Sequence, residues 1–301
     1  MEAVIQPPHH ESLCAPITSG QHVADILIGN IPLKQLMATE LRRAGFQVIE
    51  LTQVTRSTVH LPLDHWVEVG ALCLLAREEP GTCLYDGAGD IVAWKGVDEP
   101  SQCQRKLVTE ADCFRMRYPW EMLQVNSAVI DALPADDIQG TVSALSEIDG
   151  ILHLGEGSRI LPGVVIEGNV SIGKNCRIGP NAYIRGNTSI GENCIIGNAV
   201  EVKNSLIAHH TSIAHLSYVG DSVIGSHVNI GAGTIFSNYR HDGKNHRSMV
   251  EGELLDTGLS KFGAIVGDGV RTGANTVVYP GRKIGNARTT LPGAIVTDDM
   301  M

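Results

Sequence analysis

The sequence has few aromatic residues and no paired-cysteine motif. Aromatic side chains make up 4% of the 301 residues, and none of the seven cysteines belongs to a CxxC pair. An odd number of cysteines in a chain of this length does not indicate a disulfide framework. We therefore expect reduced thiols and a cytoplasmic protein.

Long apolar runs and an excess of basic residues are also absent. The longest apolar stretch, GALCLLA, is too short to cross a bilayer, and MEAVIQPPHHE lacks the basic flank and apolar core of a signal peptide. The net charge of -10 disfavours nonspecific binding to nucleic acid or to an anionic membrane surface. We expect a soluble protein with no nucleic-acid or membrane partner.

A six-residue repeat dominates the second half of the chain. Aliphatic residues recur at positions 160, 166, 172, 178, 184, 190, 196 and 202, and the register continues through Ala208 and Ala214. The pattern resumes at positions 224 and 230 and again at 266, 272, 278 and 284. Neither a helix nor an alternating strand has this period, whereas a triangular coil needs one inward aliphatic per face. The repeat predicts a parallel β-helix.

The first half has the mixed pattern of an α/β domain. Residues 1–6 suit a strand, apolar positions 33, 36, 37 and 41 share a helical face that ends at Gly45, and YPWEMLQVNSAVIDAL suits a closing helix. We predict an α/β domain over residues 1–134, a linker before about residue 150, and a β-helical domain over 147–301. The polar segment 239–262 interrupts the repeat, which predicts an extruded surface loop that serves function or is a tolerated insertion.

Polar motifs along the coil supply the residue types that acyl transfer to an amine requires, namely a base, cations for a phosphorylated acceptor and donors for an oxyanion. The segments NAYIRGN, NAVEVKN, AHLSYVGD, NIGAGT and SNY occur in that order. Over about residues 150–296 they resemble the acetyltransferase domain of the GlmU-type bifunctional enzymes. RHDGKNHR and DTGLSKFGAIVGDGV resemble the archaeal-type sugar-1-phosphate nucleotidylyltransferase/acetyltransferases. The resemblance implies a left-handed β-helix and acetyl-CoA-dependent N-acetylation of a hexosamine 1-phosphate, glucosamine 1-phosphate above all.

The same resemblance implies roles for individual residues. His215 in AHLSYVGD corresponds to the general base, a task that suits an imidazole near neutral pH. Arg185 and Lys203 correspond to sugar-phosphate ligands. Their separation of 18 residues equals one coil of three hexapeptides, so we expect them on one face of adjacent coils. Two stacked cations repel each other unless an anion joins them, which favours a binding role.

Further site residues follow from the resemblance alone. Tyr218, Asn229 and Lys244 match acceptor-binding positions, and Asn238 matches the residue beside the reacting amine and acetyl group. Positions near the acetyl-CoA arm are matched by Tyr239, Ala232 and Ala274, although coil packing explains Ala274 equally well. We expect no metal site.

The resemblance also implies a homotrimer with sites between neighbouring coils. Ile195, Val200 and Leu206 lie outside the inward-facing series, so we expect apolar outer surface that assembly would bury.

The first half resembles a shortened sugar-nucleotidyltransferase. MEAVI, IGNIPLKQLMATELRRAGFQVIEL and YPWEMLQVNSAVI carry this similarity. The glycine-rich phosphate loop of that family is replaced by QPPHHESLCAPIT, which contains no Gly, Lys or Arg. Two prolines there remove backbone donors that a triphosphate would need. We therefore expect this domain to be inactive in nucleotidyl transfer.

Other functions remain open at this stage. The acceptor could be another amino sugar or a nucleotide-linked sugar, since acceptor choice depends on loop shape. The spacing of His210 and His215 also occurs in β-helical carbonic anhydrases, whose zinc needs a third His from a neighbouring coil. No His occurs between residues 154 and 208, which disfavours this function. A non-catalytic regulatory or scaffold role is a further alternative, but it would not require the polar residues Arg185, Lys203, His215, Tyr218 and Lys244 to occur together.

Overall fold

The computed structural model describes residues 1–8, 14–19 and 21–301 and divides them into two units. The first unit comprises the described residues of Met1–Glu11, His22–Ile26 and Ile31–Arg117. The second comprises those of Ser12–Gln21, Leu27–Asn30 and Tyr118–Met301. Part of the segment QPPHHESLCAPIT, residues 9–13, lies outside the described residues.

The elements that precede the coil are short strands and helices. The strands are β1 (Glu2–Gln6), β2 (Leu27–Ile28), β3 (Ile31–Pro32), β4 (Gln47–Val48), β5 (Thr58–Pro62), β6 (His65–Val67), β7 (Thr82–Tyr85), β8 (Ile91–Lys95), β9 (Arg105–Val108) and β10 (Cys113–Arg115). The α-helices are α1 (Leu33–Arg43), α2 (Val69–Arg77) and α3 (Glu121–Asp131). The 3₁₀ helices are Ile17–Ser19, Val23–Asp25, Leu51–Gln53 and Pro100–Gln102. Among the described residues, no helix combines the length and apolar character of a membrane-spanning segment.

The first unit is built on a mixed sheet with strand order β4-β1-β5-β8-β7-β9. Helix α1 buries the predicted apolar face, namely Leu33, Leu36, Met37 and Leu41. Gly45 follows the helix with φ +83°, a conformation that costs glycine little and that ends the helix where the sequence predicts. The α/β prediction for this part of the chain is confirmed.

The second unit contains a left-handed parallel β-helix of about nine turns, as predicted. Its first face is formed by β11 (Asp137–Ile138), β14 (Leu152–Leu154), β17 (Val170–Ile172), β20 (Thr188–Ile190), β23 (Leu206–Ile207), β26 (Val223–Ile224), β31 (Ala264–Val266) and β33 (Arg282–Ile284). Its second face is formed by β12 (Thr141–Val142), β15 (Arg159–Ile160), β18 (Arg177–Ile178), β21 (Ile195–Asn198), β24 (Ser212–His215) and β27 (Asn229–Ile230). Its third face is formed by β13 (Glu147–Asp149), β16 (Val165–Glu167), β19 (Tyr183–Arg185), β22 (Glu201–Lys203), β25 (Tyr218–Gly220), β28 (Ile235–Phe236), β32 (Val277–Val278) and β34 (Ile295–Val296).

Inward-facing aliphatic side chains fill the coil. Ile166, Ile184, Val202 and Val219 stack in the third-face column, and all four are fully buried. Burying an aliphatic side chain of this size contributes about 1.5 to 3 kcal/mol, so the column is a principal source of stability. The repeat therefore corresponds to the core of this unit.

The predicted register is wrong at Ala208 and Ala214, whereas the later predicted positions Ile224, Ile230, Val266, Val278 and Ile284 belong to the core. Ile207 and Ile213 face the core where the six-residue period predicts Ala208 and Ala214. The coil becomes 17 residues long here, as the pairing of Ile190 with Ile207 shows. Since successive side chains of a strand point to opposite sides, a one-residue change replaces the inward residue by its neighbour.

The expected apolar outer surface also differs. Ile195 is 40% exposed, but Val200 and Leu206 are buried in the single chain. The exposed apolar residues of the coil lie further along the chain and include Leu216, Ile235, Leu291 and Ile295.

The segment that interrupts the repeat leaves the coil between β28 and β31. It contains an antiparallel hairpin of β29 (Arg247–Val250) and β30 (Glu253–Asp256). Ser248 donates a hydrogen bond to the Gly281 carbonyl, and the Lys283 Nζ donates to the Met249 carbonyl at 2.7 Å. The hairpin is thus anchored to the coil by polar contacts.

Candidate functional site

Cations stack on the third face of the coil. Residues of β19 and β22 on either side of the inward-facing Ile184 and Val202 point outward, and the strand register pairs Arg185 with Lys203. This is the arrangement that the 18-residue spacing predicts.

Carboxylates on the same face compensate these cations. Arg185 donates from Nε and Nη2 to Glu201 Oε1 at 2.9 and 2.7 Å, which raises the pKa of the guanidinium. Lys203 Nζ lies 3.3 and 3.2 Å from the two carboxylate oxygens of Asp221. Charge repulsion alone therefore does not require a bound anion. Arg185 retains its Nη1 donors, and Lys203 is about a quarter exposed, so both can still reach a ligand.

Asp221 is the centre of a polar network. Its carboxylate also accepts hydrogen bonds from Asn204 Nδ2 at 3.0 Å and Asn238 Nδ2 at 2.5 Å. Asn238 Nδ2 lies 2.8 Å from the Tyr218 hydroxyl, to which it donates. Burial raises the pKa of Tyr218, as do the charges of Asp221 and Glu201, so the phenol stays protonated at neutral pH and can donate to a ligand.

Gly220 leaves room for this network. A Cβ at this position would lie 2.4 Å from the Tyr218 hydroxyl oxygen and 2.7 Å from Asn238 Nδ2. Any side chain larger than hydrogen would therefore displace the phenol or the amide. The glycine in the motif AHLSYVGD has a packing reason that is specific to the site.

His215 lies at the corner between the second and third faces. It is the last residue of β24 and its side chain is exposed. Strand pairing aligns Ser212 with Asn229 and Asn229 with Arg271, so the corner column contains His215, Ala232 and Ala274 in successive coils. The Asn275 N–H donates to the Ala232 carbonyl at 2.7 Å, which fixes this column.

The remaining predicted residues lie elsewhere. Asn229 is on the second face, beside the corner but not among the third-face residues. Lys244 is exposed in the extruded segment, where its N–H donates to Asp242. Tyr239 begins that segment, and the Lys261 ammonium lies 3.7 Å from the centre of its ring.

His210 precedes the strand β24, whereas His215 ends it. The ring of His210 stacks instead on His227, with centroids 4.7 Å apart. In the part of the chain that the structure describes, no three His, Cys, Asp or Glu side chains are grouped to hold a metal ion.

Sequence reasoning missed the acidic and loop members of the site. Periodicity gave no signal for Asp221, because the coil after Lys203 is 17 residues long and Lys203 pairs with Gly220 instead. His246 gave no such signal because it lies in the non-repeating segment. Its imidazole is buried, its Nε2 is 3.1 Å from the Asn238 carbonyl, and burial lowers its pKa.

The coil is related in sequence to characterised proteins. Residues 166–285 match the protein family described as the GMPPB C-terminal domain. A bifunctional sugar-1-phosphate nucleotidylyltransferase/acetyltransferase of Sulfurisphaera tokodaii is 43% identical over 182 residues, which are 60% of this chain and 45% of the relative. The bifunctional protein GlmU of Methanococcus aeolicus is 36% identical over 182 residues, or 60% of this chain and 44% of the relative. The chain thus spans less than half the length of these relatives.

A comparison with solved structures finds a distant likeness. The polysialic acid O-acetyltransferase OatWY is 18% identical, with a TM-score of 0.28 over 56% of this chain and 80% of that one.

Proposed function

Because its coil is homologous to the C-terminal region of the GlmU-type and archaeal-type bifunctional proteins, we propose that this chain is an acetyl-CoA-dependent N-acetyltransferase for a hexosamine 1-phosphate. The observation that carries the proposal is the direct pairing of Arg185 with Lys203 on an outer face of the coil. Glucosamine 1-phosphate is the acceptor that the sequence motifs favour.

The acceptor phosphate is bound by the stacked cations. Arg185 uses the guanidinium donors that Glu201 leaves free, and Lys203 offers its exposed ammonium edge. Charge-assisted hydrogen bonds of this kind favour a dianionic phosphate monoester over a neutral sugar hydroxyl. Tyr218, Asn229 and Lys244 contact the remainder of the sugar.

The acetyl group is transferred at the corner column. His215 removes a proton from the acceptor amine as the nitrogen attacks the thioester carbonyl. The resulting tetrahedral oxyanion collapses, the C–S bond breaks, and the CoA thiolate leaves and takes up a proton. Asn238 is placed beside the reacting groups, while Tyr239 and the small residues Ala232 and Ala274 allow the thioester arm to approach the backbone.

Assembly into a homotrimer completes the sites between neighbouring coils. Leu216 and Leu291 are 62% and 80% exposed near the corner, and Ile295 on the third face is 63% exposed. Large apolar side chains exposed in this way favour an interface. Light scattering on the purified chain should give three times the monomer mass of 32.2 kDa, and a monomer would contradict the assembly.

A thiol-release assay with acetyl-CoA tests the reaction. The acceptors are hexosamine 1-phosphates, the same amino sugars without phosphate, and nucleotide-linked amino sugars. We expect the highest kcat/KM with a 1-phosphate. A nucleotide-linked sugar as the best acceptor would identify the alternative reaction, and no thiol release with any amine would support a scaffold role instead.

We also propose that the first unit does not transfer nucleotides, although the relatives are named as bifunctional. The acidic pair Asp86 and Asp90 serves a turn between β7 and β8, because Asp86 Oδ1 accepts hydrogen bonds from the N–H groups of Ala88 and Asp90. The prolines at positions 7 and 8 of the replaced phosphate loop also lack the backbone N–H donors that a triphosphate cradle would use. Pyrophosphate release above background from UTP or dTTP, Mg²⁺ and a sugar 1-phosphate would overturn this proposal.

A further inference from the structure

Two adjoining cavities lie where the extruded segment packs against the last coils. The larger one, of about 520 Å³, is lined by Ser237, Tyr239, Arg240 and Tyr279, among others. The smaller one, of about 320 Å³, is lined by Arg240, Arg247, Arg282, His246 and Tyr279, among others. Arg240 and Tyr279 line both cavities, so the two form one depression, and it reaches Ser237 and Tyr239 on either side of Asn238.

The charged side chains that line the smaller cavity are basic. Its lining contains three arginines and no aspartate or glutamate among the described residues. Arg240 is paired with Asp242, which lines the adjoining larger cavity, and Arg282 Nη1 lies 3.7 Å from Asp299. Within the described part of the chain, the Arg247 side chain has neither a hydrogen-bond nor an ion-pair partner. Guanidinium groups gathered around one cavity favour a ligand that carries phosphate.

His246 connects the smaller cavity, called here the arginine cavity, to Asn238. His246 lines this cavity, and its Nε2 is in contact with the backbone carbonyl of Asn238. His246 is itself held by the main chain, since its N–H donates to the Leu259 carbonyl and its carbonyl accepts from Thr257. A ligand that reaches from Asn238 along the depression would therefore place its far end among the arginines.

We propose that Arg240, Arg247 and Arg282 bind the phosphates at the nucleotide end of the acyl-CoA donor. This inference rests on the proposed function, because it takes the thioester end of the same donor to lie beside Asn238. Acyl-CoA is an extended molecule with a thioester at one end and a phosphorylated adenosine at the other. The exposed ring of Tyr279, which lines both cavities, offers a surface on which the adenine can stack.

The test compares donors with and without the nucleotide. Arg247→Gln should raise the KM for acetyl-CoA roughly tenfold, the effect of losing a charge-assisted hydrogen bond. Its KM for S-acetylpantetheine, which has the thioester arm but no nucleotide, should change by less than about twofold. Arg247→Lys should recover part of the loss. Arg159→Gln, which removes an exposed arginine from β15 on the second face, is the matched control and should alter neither KM.

Binding of CoA, measured by calorimetry, separates this inference from the proposed reaction. If no amine is acetylated but Arg247→Gln weakens CoA binding about tenfold, the arginine site stands and the proposed reaction fails. Unchanged CoA affinity and unchanged acetyl-CoA KM in Arg247→Gln would overturn the inference. So would weaker binding of ATP or of a nucleotide sugar with unchanged binding of CoA, since the cavity would then serve another phosphorylated ligand.

Discussion

Separating Lys203 from Asp221 tests whether the polar network of the third face stabilises the coil. The closest approach of the ammonium to the carboxylate is 3.2 Å, and the two side chains are 25% and 3% exposed. At this distance an effective dielectric near 20 gives an attraction of about 5 kcal/mol. Desolvation of the carboxylate, ordering of the lysine and screening of its exposed quarter oppose this attraction. We expect a coupling free energy of about 1 to 2 kcal/mol.

The assay is a double-mutant cycle on the free energy of unfolding. Lys203→Met, Asp221→Asn and the double variant are compared with wild type by urea denaturation followed by circular dichroism. The chain contains a matched control in the exposed pair Arg43 and Glu40 of α1, whose side chains are 73% and 30% exposed. That pair should couple by less than about 0.5 kcal/mol. Each cycle is read from the unfolding transition of its own unit. A Lys203–Asp221 coupling no larger than that of the control pair would refute the reasoning.

Three further changes address the site, the loop and the acceptor. Gly220→Ala should destabilise the coil by about 1 to 3 kcal/mol in thermal melts, because its methyl group would displace the Tyr218 phenol and the Asn238 amide. The control is Gly87→Ala, since a Cβ at Gly87 meets no atom within 4 Å. Equal melting shifts in the two variants would contradict the close packing of Gly220 against Tyr218 and Asn238. Burial holds the pKa of His246 below its ordinary value of 6.5, so the unfolded chain binds this proton more tightly and wild-type stability falls as pH drops below about 6.5. His246→Gln should lose less stability between pH 7.5 and 5.5, and identical losses would show that the imidazole does not titrate on unfolding. Arg185→Ala and Lys203→Ala should raise the KM for the phosphorylated acceptor and leave that for acetyl-CoA nearly unchanged, whereas equal effects on both would place the cations outside the acceptor site.

The repeating part of the fold could be predicted from the sequence because an aliphatic residue recurs at a fixed interval wherever a side chain faces the core. Ile184 and Val202 illustrate this, and the outward positions beside them follow at once. The shift at Ile207 could not be predicted from the period, because a coil one residue shorter still alternates apolar and polar residues. Only strand pairing fixes which of two neighbours faces the core.

The site was predictable to the extent that it follows the repeat. Arg185 and Lys203 share a face because one coil separates them. Their carboxylate partners depend on contacts between coils, and His246 depends on how a non-repeating segment folds back onto the chain. Such contacts join residues that are distant in sequence, so they cannot be predicted from a local sequence pattern.

The measurement that tests the central claim most directly is the kcat of His215→Ala with acetyl-CoA and the best hexosamine 1-phosphate. General-base catalysis contributes roughly 10² to 10⁴ in rate, so we predict a loss of at least about 10²-fold with an unchanged melting temperature. His210→Ala, which removes a nearby exposed histidine that stacks on His227, is the control and should keep wild-type kcat. A His215→Ala protein that retains more than about a third of wild-type kcat would contradict the assignment of this imidazole as the base.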